Sequence, residues 1–536
     1  MNEALSSSST RSGGLAEIDF QIIWSRLIAV VEEQAQALRR TAFSPIVRES
    51  GDLSAGFFDS KGRMIAQAVT GTPGHVNTMA ASVLHFIDRF PLSTAERGDV
   101  LVTNDPWLGT GHLHDFVVVT PAFHEGRLIG FFASTCHFMD VGGIGFGPDG
   151  RDVFEEGFCV PPMHLLRAGV VNATLVDLVR ANSRYPAEAE GDLMSLAACN
   201  DIGGRRLSEM MTEFGLSALE QIGDGIVARS RAAALAKISE LPRGSFSAVM
   251  TIDGYEGPVT LRAQLTIDAE GLEVDFSGTS GVSARGINVP VAYTQAYTAF
   301  GLACAIFPYV PNNSGTLSVM RITAPEGCIL NAQRPAPVSS RHVVGQMLPD
   351  VVFGCLAQVI PDQVLAEGAS SLWNLILEDA HDACLSQGIG DTQRFSALSV
   401  QTGGTGARPS LDGLSATAFP SGVAGVPVEI IETITPLIFW RKELREGSGG
   451  RGRHSGGLGQ IIEIGHRDGH PFYLFAALDR IEHPARGRFG GENGAAGSVR
   501  LADGVKLRGK GKQLVPAGGH LIVETPGGGG YGRPEP

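Results

Sequence analysis

The sequence predicts a mixed α+β protein of several domains, with N-terminal helices and β-hairpins, a β-rich middle and a glycine-rich β C-terminal region. Helical periodicity and hairpin patterns occur together in the first part of the chain, and short strands separated by turn residues dominate the last part. No regular alternation of strand and helix appears, which argues against a parallel α/β sheet. The chain has 536 residues, enough for two to four domains of about 150 residues each.

We divide the chain into four segments. Residues 1–18 are predicted to be a disordered tail, because the start is rich in Ser, Thr and Gly. This tail has neither the basic nor the apolar segment of a secretory signal. Residues 19–242 form an N-terminal α+β domain with a metal site, residues 243–440 a central α+β domain, and residues 441–536 a glycine-rich β region.

The first helix is predicted over residues 19–40. Its apolar positions follow helical spacing: Phe20, Ile23, Leu27, Val30, Val31, Ala35 and Leu38. A β-hairpin follows over residues 53–69 with its turn at 60–62, and then a helix over 77–89 and a short strand over 99–103. A second hairpin pairs residues 116–123 with 128–135.

The later elements are predicted in the same way. Residues 207–241 indicate a long helix with a weak point at the Gly223-Asp224-Gly225 segment. A third hairpin pairs residues 259–267 with 272–276, and helices return at 294–305 and 343–359. From about residue 399 onward, short strands alternate with glycine-rich turns, and 70 glycines make up about 13% of the chain against a usual value of about 7%.

Charge and composition exclude several classes of protein. Lys and Arg number 42 against 56 Asp and Glu, a formal net charge of −14, so the chain lacks the basic footprint of a nucleic-acid binder. No apolar run reaches the roughly 18 residues needed to span a bilayer. The seven cysteines contain no CxxC pair, which favours a reduced, cytoplasmic protein.

The densest polar cluster flanks the second hairpin. His112, His114 and Asp115 precede it, and His137 and Asp140 follow it. The turn centres near residue 126, and Asp115 and His137 lie about equally far from it, so antiparallel pairing should bring the two sides together. Imidazoles and carboxylates at one strand end suit a divalent metal such as Zn, Fe(II) or Mn(II). The alternative is that these histidines only form hydrogen bonds in a loop, and Asp52 by itself is best interpreted as a turn residue.

No phosphate-binding loop is present in the sequence. The glycine-rich run from Gly447 to Gly457 lacks the lysine of a P-loop and does not open a predicted helix. There is no G-x-S-x-G segment, and no cysteine has the context of a nucleophile. We therefore expect that this chain alone does not hydrolyse ATP.

Several motifs resemble those of the hydantoinase B family. The family signature N-D-P-[YF]-x-G-G-T-H-L-P-D is similar to Asn104-Asp105-Pro106-Trp107 followed by Gly111-His112-Leu113-His114-Asp115. The family motif H-x-x-D-x-G-G is similar to the segment from His137 to Gly143. Further similar segments begin at Glu156 (E-G-x-x-I-P-P), Val274 (V-D-F-S-G), Pro335, Pro427 and Leu444, and the chain closes on P-G-G-G-G-Y-G. The matches run in family order over roughly residues 40–532. The sequence departs from the family at His114, where Pro is usual, at Gly447 and at Ser455.

The resemblance implies a subunit of an ATP-dependent enzyme. The family includes N-methylhydantoinase, 5-oxoprolinase and the acetone and acetophenone carboxylases. A separate hydantoinase A-type chain would bind ATP and Mg and phosphorylate a small-molecule substrate, and the two chains would form a hetero-oligomer. The family's metal ligands carry over to His112, Asp115 and His137, with Asp52 as a fourth, and His114 leaves the ligand count open.

The expected activity is hydrolysis of a cyclic amide of the hydantoin or 5-oxoproline type. Asp140, His75 or Glu156 could carry the proton in this reaction, and each could instead support a ligand histidine. Two alternatives stay open: a subunit of a ketone carboxylase of the acetone or acetophenone carboxylase type, and a scaffold subunit with a structural metal and no catalysis of its own.

Overall fold

The computed structural model describes residues 17–386 and 394–534. The predicted tail, residues 1–18, lies almost wholly outside the described residues. The fold combines helices with one seven-stranded and three four-stranded sheets, so the predicted α+β class is confirmed. In the described part of the chain, no helix is both long enough and apolar enough to cross a membrane. All seven cysteines lie in this part and are free thiols.

The first region contains seven helices and seven strands. Its helices are α1 (Glu17–Thr41), α2 (Pro45–Arg48), α3 (Pro73–Arg89), α4 (Val153–Glu156), α5 (Ala173–Ala181), α6 (Pro186–Glu213) and α7 (Glu220–Ser239). Its strands are β1 (Leu53–Asp59), β2 (Met64–Gln67), β3 (Val100–Thr103), β4 (Asp115–His124), β5 (Arg127–His137), β6 (Met163–Arg167) and β7 (Val170–Val171). These strands form one sheet in the order β2-β1-β5-β4-β3-β6-β7.

Helices cover both faces of this sheet, because neighbouring residues of a strand point to opposite sides. Phe57 packs towards α1 and α7, whereas Phe58 packs towards α3. Strands β1 to β5 are accordingly buried along most of their length, and β1 is buried at every position. The central hairpin of β4 and β5 is therefore held rigidly from both sides, which fixes the residues at its open end.

The second region packs helices on one face of a four-stranded sheet. Its strands are β8 (Gly244–Ile252), β9 (Val259–Ile267), β10 (Leu272–Asp275) and β11 (Met320–Thr323), in the order β11-β10-β9-β8. Its helices are α8 (Val291–Ile306), α9 (Ser314–Leu317), α10 (His342–Gly345) and α11 (Leu348–Leu356). The helix predicted over 343–359 is thus split near Met347, just before Pro349 at the start of α11.

The third region is a sandwich of two four-stranded sheets. Its elements are β12 (Trp373–Asp379), α12 (His381–Ser386), β13 (Ser396–Gln401), α13 (Val428–Ile434), β14 (Leu437–Leu444), β15 (Gln460–His466), β16 (Phe472–Ala477), β17 (Ser498–Leu501), β18 (Lys510–Val515) and β19 (Leu521–Glu524). The sheets run β13-β12-β16-β18 and β14-β15-β19-β17 and enclose a shared apolar core.

Two predicted boundaries differ from the structure. The boundary after residue 440 falls inside β14, and β12 and β13 on one side of it share a sheet with β16 and β18 on the other. The helix predicted over 207–241 breaks near Gly215, which has φ +63°, rather than at Gly223-Asp224-Gly225 inside α7. Glycine at 225 lets the ring of Phe20 pack against α7, because a Cβ at this position would lie 2.8 Å from Cε2 of Phe20.

Candidate metal centre

The open end of the β4–β5 hairpin gathers the predicted cluster. Asp115 is paired directly with His137 in the antiparallel register, as the equal distances from the turn predicted. His112 lies just before β4, and His75 comes from the first turn of α3. All four side chains are buried, which is unusual for such polar groups without partners or ligands.

Asp115 is the hub of the cluster. Its Oδ2 accepts hydrogen bonds from Thr110 Oγ1 and Arg341 Nη2, each at 2.6 Å, and lies 2.9 Å from His75 Nε2. Gly111 makes the approach of Arg341 possible, because a Cβ there would lie 2.7 Å from the arginine Cδ. Although burial opposes ionisation, His112, His75 and Arg341 hold the pKa of the Asp115 carboxyl well below its usual range. Asp115 is therefore a fixed carboxylate.

The other oxygen of Asp115 faces two imidazoles. Oδ1 lies 2.7 Å from His112 Nε2 and 3.3 Å from His137 Nδ1. His112 Nε2 makes no hydrogen bond to any described residue despite that short distance. The reason is that His112 Nδ1 donates to the carbonyl oxygen of Ser339 at 2.9 Å, which leaves a lone pair and no proton on Nε2 of the neutral ring. A lone pair and a carboxylate oxygen that converge without a proton are the arrangement expected of two ligands of one cation.

The donor set fits a divalent metal. One ligand atom from each of His112, Asp115 and His137 can be chosen so that all three lie within 4.8 Å of one another. His137 Nε2, like His112 Nε2, is buried and has no hydrogen-bond partner among the described residues. Burial and Arg341 lower the pKa of His112 to about 3, so its ring stays neutral as a ligand must. Two imidazoles and a carboxylate suit Zn, Fe(II) or Mn(II) and leave coordination positions open.

Asp52 and His75 lie at the edge of this cluster. Asp52 is half-buried, and its Oδ1 is 3.7 Å from His75 Nδ1. The main-chain oxygen of Asp52 accepts a hydrogen bond from the amide of His137, which ties the two segments together. Burial works against the charged form of His75, but Asp115 and Asp52 raise its pKa above the usual value. His75 thus favours carrying a proton, in contrast to His112.

The other two predicted proton carriers lie away from the pocket. The Asp140 carboxylate pairs with Arg184 Nη1 at 2.5 Å and accepts the amide of Gly142 at 3.1 Å. Glu156 is buried, and its Oε1 accepts the amide of Ser339 at 2.8 Å. Burial raises the pKa of Glu156 to about 8, so this carboxyl is largely protonated at neutral pH. Glu156 reaches His112 only through the main chain of Ser339.

His114 is buried beside the cluster. Its ring stacks on that of His137, with centroids 5.5 Å apart and an angle of 13°, and it contacts Phe146 at 4.7 Å between centroids. Both ring nitrogens are buried without a hydrogen-bond partner among the described residues. Burial keeps the pKa of His114 well below its usual value. The ring does not line the pocket next to the cluster.

This pocket lies at the junction of the three regions. The first region contributes the candidate metal ligands His112, Asp115 and His137. The second region contributes Tyr297, Arg341, His342 and Gln346. The third region contributes Leu372, Asn374, Leu398, Val400 and Val423. The cavity volume is about 40 Å³, more than the roughly 10–15 Å³ that one water requires.

Sequence reasoning missed the residues from the second and third regions. Arg341 and His342 lie more than 200 positions from His112, and no local spacing connects them. One signal was available: both lie within four residues of the end of the segment from Pro335 to Val338, which resembles the family pattern. Asn374 had no such signal, because it occupies an ordinary position in β12.

Comparison with known proteins agrees with this architecture. The family described as Hydantoinase B/oxoprolinase matches residues 16–534. A relative from Pseudomonas sp. (strain NS671), named as a putative B-type chain of a D-/L-hydantoinase, is 28% identical, over 96% of this chain and 90% of the relative. The 5-oxoprolinase 1 of Arabidopsis thaliana is 30% identical over 96% of this chain, which corresponds to 42% of the relative's length.

A solved structure shares the fold. The crystal structure of the ATP-dependent caprolactamase from Pseudomonas jessenii superposes with a TM-score of 0.88 at 23% sequence identity, over 97% of this chain and 92% of the other. The fold is thus common to the two proteins across nearly their whole length. Because the family match extends over all the described regions, the chain belongs to the hydantoinase B/oxoprolinase family.

Proposed function

We propose that this chain is the metal-binding subunit of an ATP-dependent hydrolase that acts on a cyclic amide. The observation that carries the proposal is the buried triad of His112, Asp115 and His137, whose side chains line a pocket and whose two histidine Nε2 atoms have no hydrogen-bond partner among the described residues. Family membership supports cyclic-amide chemistry, since relatives are named hydantoinase and 5-oxoprolinase. A divalent Zn, Fe or Mn ion held there would supply Lewis acidity, polarising a carbonyl or acidifying water.

The residues around the triad have distinct tasks in this proposal. Arg341 and Thr110 hold Asp115 in place as a carboxylate, and Ser339 holds the ring of His112. Asp52 is proposed as a further ligand or as the acceptor that orients His75, since it faces His75 Nδ1.

His75 is the proton carrier that the geometry favours among the three predicted. It lines the pocket, and its pKa is raised by Asp115. Asp140 and Glu156 would act as positioning residues. Asp140 forms an ion pair with Arg184, and Glu156 accepts a hydrogen bond from the amide of Ser339.

The partner in this proposal is a hydantoinase A-type chain that binds ATP and Mg. An amide is a poor electrophile, and phosphorylation of its oxygen would provide a leaving group. Two observations support a division between chains: the sequence has no P-loop, and this chain matches 90% of the length of the Pseudomonas sp. relative but 42% of 5-oxoprolinase 1. The resulting hetero-oligomer would work in the cytoplasm, consistent with seven free thiols.

Co-expression with a hydantoinase A-type chain tests the proposal. The two chains should co-purify, and the complex should open hydantoin or 5-oxoproline in an ATP-dependent manner. His137→Ala should abolish turnover while the complex still assembles, whereas His466→Ala, far from the pocket, should leave turnover unchanged. ATP hydrolysis by the isolated chain, or full turnover without ATP, would contradict the proposal.

A further inference from the structure

We propose that Asn374 is a specificity-determining residue that accepts a hydrogen bond from the ring N–H of a cyclic amide. The inference rests on the proposed function and concerns the wall that faces the candidate metal ligands. Asn374 lies on β12, paired with Val400 of β13, and its side chain lines the pocket.

The amide of Asn374 is only half satisfied. Its Nδ2 lies 3.4 Å from His342 Nε2, and its Oδ1 is buried without a hydrogen-bond partner in the described part of the chain. A buried carbonyl oxygen without a donor is costly, and such groups are rare in native proteins. An oxygen of this kind that also lines a pocket is the feature expected of a ligand-binding acceptor.

The neighbouring polar group on the same wall is already occupied. The Oε1 of Gln346 accepts the amide of Leu372 at 2.9 Å, and its Nε2 lies 3.4 Å from the hydroxyl of Tyr297. Gln346 therefore holds the wall in place, and of these two amides Asn374 is the one whose oxygen has no donor among the described residues.

The rest of the wall is apolar. Leu372, Leu398, Val400 and Val423 line the pocket beside Asn374. A simple lactam, such as 2-pyrrolidinone, has methylene groups in its ring, one carbonyl and one N–H. In the proposed complex, the aliphatic side chains contact the ring and Asn374 Oδ1 accepts a hydrogen bond from the N–H. The carbonyl group lies towards the candidate metal ligands. A ketone has no N–H to offer, so the wall favours an amide over a ketone.

Ligand binding to the metal-loaded chain tests this assignment without turnover. The probes are 2-pyrrolidinone and N-methyl-2-pyrrolidinone, titrated by ligand-observed NMR. The wild-type chain should prefer the N–H compound by about tenfold, as expected for one hydrogen bond to a buried acceptor. In Asn374→Leu the preference should fall to about onefold. If the wild type binds neither compound or does not discriminate, or if the variant keeps the preference, the proposal is overturned.

Thermal unfolding of the ligand-free chain provides the second measurement. Asn200 is a matched control, because it is also buried but its Oδ1 accepts Gln34 Nε2 at 2.7 Å and its Nδ2 donates to Val118 O at 3.1 Å. Asn200→Leu should lower the unfolding temperature clearly, whereas Asn374→Leu should leave it unchanged or raise it. A loss in Asn374→Leu as large as that in Asn200→Leu would assign Asn374 a purely structural role. An intact N–H preference in a complex that opens no cyclic amide would instead contradict the proposed function alone.

Discussion

Two groups of two histidines and one aspartate lie in very different surroundings in this protein. The buried group is His112, Asp115 and His137, and the surface group is His466, Asp468 and His470 on the turn between β15 and β16. Both offer ligand atoms within 4.8 Å of one another. In the surface group, Asp468 is exposed and the two histidines are half-buried, with ring centroids 4.8 Å apart.

The difference lies in what surrounds the ligands. The buried carboxylate is held by Arg341, Thr110 and His75, whereas the surface group has one internal bond, from the amide of Asp468 to His466 Nδ1 at 3.1 Å. Rigid outer contacts remove most of the entropy cost of ordering ligands, and water competes little at a buried site. The same residue types should therefore bind a metal tightly in one place and weakly in the other.

The largest expected effect is on metal content. His112→Ala with His137→Ala removes two of the three buried ligands, so the purified protein should lose its metal after mild chelation, whereas the wild type should retain about one ion. His466→Ala with His470→Ala is the matched control and should retain it. Metal analysis by mass spectrometry, with circular dichroism to confirm folding, checks this. A folded buried-site variant with a full metal content would contradict the ligand assignment.

The second effect concerns stability without metal. Arg341→Met removes the guanidinium that is paired with the buried carboxylate of Asp115, which should cost about 3–5 kcal/mol of unfolding free energy. Added Zn²⁺ should restore part of this loss, since a bound ion replaces the missing positive charge. Denaturant unfolding with and without Zn²⁺ measures both. Arg334→Met, at the half-exposed pair with Asp105, is the control and should change stability by less than about 1 kcal/mol.

The third effect is a pH dependence of stability. It tests Glu156, which contacts the ligand His112 only through the main chain of Ser339. The folded-state pKa of Glu156, about 8, lies above its unfolded value of 4.5. Between these values the unfolded chain has released a proton that the folded chain still holds, so stability should fall as pH rises from about 5 to 8. Glu156→Gln keeps the acceptor for the Ser339 amide but cannot ionise. The variant should match the wild type near pH 5 and exceed it at pH 9 by about 3–5 kcal/mol. Parallel pH profiles for the two proteins would contradict this.

The smallest effect is expected at the surface group. His470→Ala should change the unfolding free energy by less than about 0.5 kcal/mol, because the side chain is half-exposed and makes no buried hydrogen bond among those described. Zn²⁺ titration of the protein, followed by calorimetry, should show a weak second event that disappears in this variant. A second event as tight as the first would remove the distinction between the two groups.

The core of the site was predictable because it depends on local geometry. The hairpin turn near residue 126 sets the pairing of Asp115 with His137, and residues that flank a hairpin meet whatever the rest of the fold does. Helical periodicity likewise predicted α1 within a few residues at each end. Such features depend on contacts between residues close in the chain, so the order of polar and apolar side chains is enough to predict them.

The rest was decided by tertiary structure. The order of the sandwich strands, with β12 and β13 beside β16 and β18, joins segments about 70 to 140 residues apart and has no local signature. The same holds for Arg341, which reaches Asp115 from 226 residues away, and for Asn374, which lines the pocket because β12 packs against the first region. The sequence alone determined which residues could bind a metal and how the hairpin aligns them. The packing of the three regions around one pocket decided which buried side chains are charged, which are protonated and which polar atoms lack a partner in the protein. Burial and contacts with residues distant in the chain control all three properties.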